Sequence, residues 1–166
     1  MDYHPDSAKP ENFTESGAHF DNLTEMLTSA FQHHGAGEIE QARKIYEQIL
    51  EIVPAHPDTN YNLGLVFHSQ GELERAMEKY RRTIATDAGY HQAHYNLANA
   101  LKEQGKVDEA IQSYRDALIF DPEHVGAHHN LGVAYFGKNM LQEAIASYQR
   151  VLALDPQNAP AYYNLG

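Results

Sequence analysis

One interval governs what this chain can fold into. Tyr46, Tyr80, Tyr114 and Tyr148 stand 34 residues apart. So do Ala42, Ala76, Ala110 and Ala144, and so do Asn62, Asn96, Asn130 and Asn164. Three residue types sharing one period describe an array of like units, not a single irregular core. The clearest unit runs from His91 to His124, HQAHYNLANALKEQGKVDEAIQSYRDALIFDPEH.

Within it, Ala93 to Gln104 reads as one helix, which Gly105 ends through a left-handed cap. Asp108 to Phe120 reads as a second, with Asp108 as its expected N-cap. Ala110, Ile111, Tyr114, Ala117 and Leu118 recur at three and four, the spacing of one buried helical face. Asp121-Pro122 stops that helix, because proline disfavours helix at the residue before it. Each unit is therefore a helical hairpin, and hairpins of this size must stack to bury their apolar faces. The small residues Gly64, Ala98 and Gly132 on first helices are expected to face Ala76, Ala110 and Ala144 on second helices.

The fold expected is all-α, a right-handed superhelical solenoid of antiparallel helix pairs. A flexible tail is expected over residues 1–22 and the array over 23–166. Its units run over 23–56, 57–90, 91–124 and 125–158, with a partial fifth over 159–166. Because that fifth unit stops within its first helix, the chain is expected to be a fragment of a longer protein. The first unit has Ser29 and Thr28 where later units have Leu and Asn, which suits an end cap. The second unit lacks a proline after Asp87, so its exit turn is expected to be looser. Asn139 replaces the glycine of Gly37, Gly71 and Gly105, and asparagine is the next best residue for that left-handed position.

Composition then removes several functions. Lys and Arg total 12 against 23 Asp and Glu, a formal charge of −11. Phosphate binding needs a basic stripe, so nucleic acid is not the expected partner. There is no cysteine, which excludes thiolate chemistry and Cys-based zinc sites and fits a reducing, cytoplasmic setting. No apolar run approaches the ~20 residues of a membrane helix, so no membrane partner is expected. No glycine-rich phosphate loop, nucleophile elbow or HExxH-like pattern occurs, and no cofactor, metal or catalytic residue is expected.

The recurring asparagines point to binding instead. At 100° per residue, His94, Leu97, Ala98 and Leu101 share one arc of the first helix, which should be its packed face. Asn96, Asn99, Gln92 and Glu103 fall outside that arc, and Asn96 is expected on the open face. Stacking places Asn62, Asn96, Asn130 and Asn164 in a row. A carboxamide carries both donor and acceptor, so it pairs with any peptide backbone regardless of side chains. First helices ~8–10 Å apart would meet about every third residue of an extended peptide. Tyr61, Tyr95 and Tyr163, with His129 in the matching place, edge the same face. They either pack on a ligand or cover a neighbouring helix. Replacing Asn96 and Asn130 by alanine is expected to weaken peptide capture with melting nearly unchanged.

The spacing His94-x-x-Leu97-Ala98-x-x-Leu101, then Ala110-x-x-x-Tyr114, then Pro122, resembles the tetratricopeptide repeat. The string YNLANALKEQGKVDEA resembles units in the arrays of O-linked N-acetylglucosamine transferases. The resemblance implies that first helices line a concave groove, and that the asparagine row holds a substrate backbone there. It implies a protein-interaction scaffold that binds an extended segment of another protein. Two alternatives stand beside it: the substrate-docking arm of a larger glycosyltransferase-like enzyme, or a module that self-associates through its incomplete last unit. A clamp for a C-terminal carboxylate is not expected, because most basic residues fall on second helices. The eleven histidines lack converging partners and are expected on the surface.

Overall fold

The computed structural model describes residues 13–166, and side chains from residue 22 onward. Residues 1–12 of the expected tail lie outside the described residues. Helix α1 spans Phe13–Gly35, so it begins ahead of the boundary at 23. The remaining elements are α2 (Ile39–Ile52), α3 (Pro57–Ser69), α4 (Leu73–Thr86), α5 (His91–Glu103), α6 (Val107–Phe120), α7 (Val125–Gly137), α8 (Leu141–Leu154) and α9 (Ala159–Leu165). All the described regular structure is thus α-helical, in antiparallel pairs.

The chain divides into two compact units, residues 1–52 and 53–166. In the first, α1 packs on α2 around Ala30, Ala42, Tyr46 and Ile49, all fully buried. The Tyr46 hydroxyl reaches His34 Nδ1 at 3.2 Å. In the second, α3 pairs with α4, α5 with α6 and α7 with α8, and each pair packs on the next through α4–α5, α6–α7 and α8–α9. The repeating tyrosines Tyr80 and Tyr114 are fully buried, as are Ala76, Ala93, Ala98, Ala100 and Ala110.

The nearest neighbours of Gly64 and Gly132 are tyrosine rings of the second helices. A Cβ on Gly64 would lie 2.6 Å from the Tyr80 ring, and one on Gly132 would lie 2.7 Å from the Tyr148 ring. The missing side chain makes room for an aromatic ring.

The turns follow the sequence closely. Gly37, Gly71 and Gly105 have φ of 77°, 76° and 77°, and Asn139 has φ of 61°. Each occupies the left-handed cap position. Asp108 is not an N-cap: Lys106 holds that place in α6 without a side-chain bond, and Asp108 stands in the first turn. Its carboxylate pairs with Lys138 and also favours the positive end of the helix. The exit turn of the second repeat is not looser. Asp87 has φ −133°, matching Asp155, and its carboxylate accepts from Gly89 N at 2.9 Å. An Asx turn thus replaces the proline.

Candidate peptide-binding face

The expected packed arc is the one observed: His94, Leu97, Ala98 and Leu101 of α5 are all buried. The asparagine row is more complicated. Asn164 is exposed, while Asn62, Asn96 and Asn130 are half-buried. Asn62 donates from Nδ2 to the carbonyl of Asp58 at 2.7 Å, within its own helix. Asn96 donates from Nδ2 to the Tyr61 hydroxyl at 3.0 Å, one repeat back. Asn130 donates to the equivalent Tyr95 hydroxyl at 3.3 Å and to Asn99 Oδ1 at 3.0 Å. The expectation that these amides stand free on an open face is therefore corrected for three of them: Asn96 and Asn130 tie their donor ends to the preceding repeat, and Asn62 ties its own to its helix.

Their acceptor ends are not. The Oδ1 atoms of Asn96 and Asn130 accept nothing from the described residues, and neither belongs to the buried unpaired atoms of those residues. Asn96 is thus oriented by Tyr61 and Asn130 by Tyr95 and Asn99, and each retains an accessible carbonyl oxygen. Asn99 shows the opposite polarity. Its Oδ1 accepts from Asn130 and from the Tyr114 hydroxyl at 2.6 Å, which leaves its Nδ2 without a described partner.

The aromatic edge serves the stack. Tyr61 packs on Tyr90, the last residue of its own repeat and the cap of α5, with ring centres 4.9 Å apart, and on Tyr80 at 6.1 Å. Tyr95 lies 4.5 Å from the His124 ring and 6.0 Å from Tyr114. Burial pushes the Tyr61 hydroxyl up in pKa, and the bond from Asn96 opposes that only in part. His129 lies 5.8 Å from the Tyr148 ring. Its pKa is lowered by burial first and by the Lys102 ammonium second. Tyr163, 86 % exposed, covers nothing comparable. With Phe136, Tyr148 and Asn164 it lines a cleft of about 310 Å³ on this same face. A larger cleft on α4 is lined by Glu74, Arg75, Glu78, Arg81 and Arg82, but Arg82 is paired with Glu78 and Arg75 with Glu72.

One device in the turns between repeats has no signature in residue type. Asn60 Nδ2 donates to the Pro54 carbonyl at 3.0 Å, and His94 Nε2 to that of Ala88 at 3.0 Å. His128 Nε2 donates to the Pro122 carbonyl at 2.9 Å, and the Tyr162 hydroxyl to that of Pro156 at 3.3 Å. Every repeat of the second unit closes its entry turn with a donor to the carbonyl six residues back. The residue type varies, so only function recurs at that position. Among the described residues no group of three or more His, Asp or Glu is placed to hold a metal ion. No helix among them is long and apolar enough to cross a membrane.

Hairpins repeating every 34 residues and packed on buried tyrosines define a helical-repeat protein. Two family matches agree: "Tetratricopeptide repeat" over residues 92–159 and "TPR repeat" over 65–105. The chain is a tetratricopeptide repeat protein, and neither match is to an enzyme family. Comparison with curated proteins returns no match. Among solved structures it is similar to MamA, with TM-score 0.81 and 21 % identity over 86 % of this chain and 78 % of that one. It is similar to the first TPR of Spaghetti (RPAP3) bound to the HSP90 peptide SRMEEVD, with TM-score 0.62 and 26 % identity over 64 % and 84 %. The Thermobaculum terrenum O-GlcNAc transferase shares TM-score 0.71 and 26 % identity over 79 % of this chain, but over only 26 % of its own length. The transferase array is therefore one likeness among several, and MamA superposes more closely.

Proposed function

We propose that this array is a protein-interaction scaffold that holds an extended peptide across its first helices. The observation that carries this reading is the pair Asn96 and Asn130. Each is oriented by a tyrosine of the preceding repeat and keeps its carbonyl oxygen accessible. A backbone N–H of an extended chain is the natural donor for such an oxygen, and it carries no side-chain identity. The cleft beside Tyr163 offers an apolar side chain of the same peptide a place to sit. A peptide-bound neighbour of the same family supports the class of ligand without identifying it.

A few hydrogen bonds of ~0.5–1.5 kcal/mol each give modest affinity after the peptide is ordered. The test is capture from a capped peptide library by wild type and by the double variant Asn96→Ala, Asn130→Ala. Loss of capture with retained helicity supports the reading, and undiminished capture sinks it. Melting should fall slightly, because the substitutions also remove two bonds to Tyr61 and Tyr95.

Self-association is a second reading, and it rests on the exposed Phe136, Leu141, Tyr162 and Tyr163. Light scattering across a hundredfold range of concentration tests it: a constant monomer mass rejects it. A docking arm within a larger glycosyltransferase rests on the likeness to the Thermobaculum enzyme alone.

A further inference from the structure

We propose that this face carries a selectivity subsite at Lys102 for one acidic side chain, Asp or Glu, inside the bound peptide. The inference rests on the extended-peptide reading and adds the chemistry of one of its residues.

The first helices of the second unit, α3, α5, α7 and α9, hold three fully charged residues between them: Asp58, Lys102 and Glu103. Asp58 accepts from the Tyr90 hydroxyl at 3.0 Å. Glu103 is turned to His68, at 3.1 Å. Lys102 makes no hydrogen bond or ion pair with any described residue. Four other bases of the unit do find acids: Lys106 with Glu74, Lys138 with Asp108, Arg81 with Glu109 and Arg82 with Glu78. On the second helices Arg115 and Arg150 have no acid partner among the described residues either, so what sets Lys102 apart is its place: it is the one Lys or Arg that these first helices carry.

Its surroundings suit an anion. Asn99, less than one turn earlier, keeps its Nδ2 donors without a described partner. His129 on α7 lies near enough to feel the ammonium. No carboxylate other than the engaged Glu103 stands on α5 or α7. Lys102 lies six residues beyond Asn96, about 9 Å along the helix axis. A flexible four-carbon lysine stem meeting a Glu or Asp side chain that leaves the peptide beside Asn96 covers that distance. The acid belongs to a side chain rather than a C-terminus, because the row continues from Asn96 to Asn130 and a bound chain runs on past Lys102. One acid is expected, not a run, because the net charge of −11 repels polyanions.

The experiment displays a random decapeptide library with both ends blocked, and sequences what wild type, Lys102→Met and Lys102→Glu retain. The wild type should enrich Asp or Glu at one position. Lys102→Met should still capture peptides but lose that enrichment, and Lys102→Glu should turn it toward Lys or Arg. An isolated Glu-to-Gln exchange in a selected peptide should weaken wild-type binding about threefold to tenfold, less at high salt. Capture without acid enrichment, or enrichment that survives Lys102→Met, overturns the subsite and leaves the backbone reading standing. No capture by the wild type at all overturns both.

Discussion

A single carboxamide has two ends, and on this array they do different work. The donor end of Asn96 is spent on Tyr61 and that of Asn130 on Tyr95 and Asn99, while both oxygens stay accessible. Tyr61→Phe with Tyr95→Phe frees Asn96, leaves Asn130 held by Asn99 alone, and touches no atom offered to a ligand. Urea unfolding should show a loss of about 1–3 kcal/mol for the pair. Capture should also weaken, because an untethered amide rotates. Glycine positions allow a second prediction. Gly64→Ala drives a methyl into the ring of fully buried Tyr80, whereas Gly132→Ala meets Tyr148, which retains slight exposure. Gly64→Ala should be the more destabilising, by about 1 kcal/mol net after the better helix propensity of alanine is counted. The asparagine period was visible in the letters. That its donor ends turn back one repeat was not, because a helical wheel fixes the direction of a Cβ and says nothing of the tyrosine 35 residues away that captures the amide.

At the scale of the element, the hairpins were legible because each carries its own punctuation. Gly105 and Asn139 adopt the left-handed cap that their residue types favour. Asp108 stands in the first turn and not at the cap, and an acid in either place looks alike in sequence. The closure of the entry turn was invisible for a different reason. Asn60, His94, His128 and Tyr162 share no side-chain type, only a donor that reaches the carbonyl six residues back. The same turns also use His56 and His124 as N-caps, through Nδ1 accepting from Thr59 N and Ala127 N. Replacing His128 by Leu should cost about 1 kcal/mol in chemical denaturation. His128→Asn should cost less, since the second repeat already performs this closure with Asn60. Equal losses for the two variants would show that the bond is incidental.

Across the whole molecule, stability depends on groups that the fold keeps neutral. Burial lowers the pKa of His34 and His129 below the ordinary 6.5. Their contribution is therefore complete above that value and is lost as pH falls through the lowered values. Burial raises Tyr46 from 10.0 to about 12 and also raises Tyr80 and Tyr114. Above pH 10 the unfolded chain releases protons that the folded chain retains, so stability should fall there. Thermal melts from pH 5 to pH 11 should give a plateau between these limits, and His129→Gln should flatten its acid side. The measurement that bears most directly on function is made on the ligand. A peptide selected by the array is resynthesised with single backbone amides replaced by esters, which deletes one N–H at a time and alters no side chain. Two of these esters, about three residues apart, should bind threefold to tenfold more weakly than the parent. Neither should weaken binding further to the Asn96→Ala, Asn130→Ala variant. Full affinity for every ester would contradict the account, since the oxygens of the row would then have no main chain to hold.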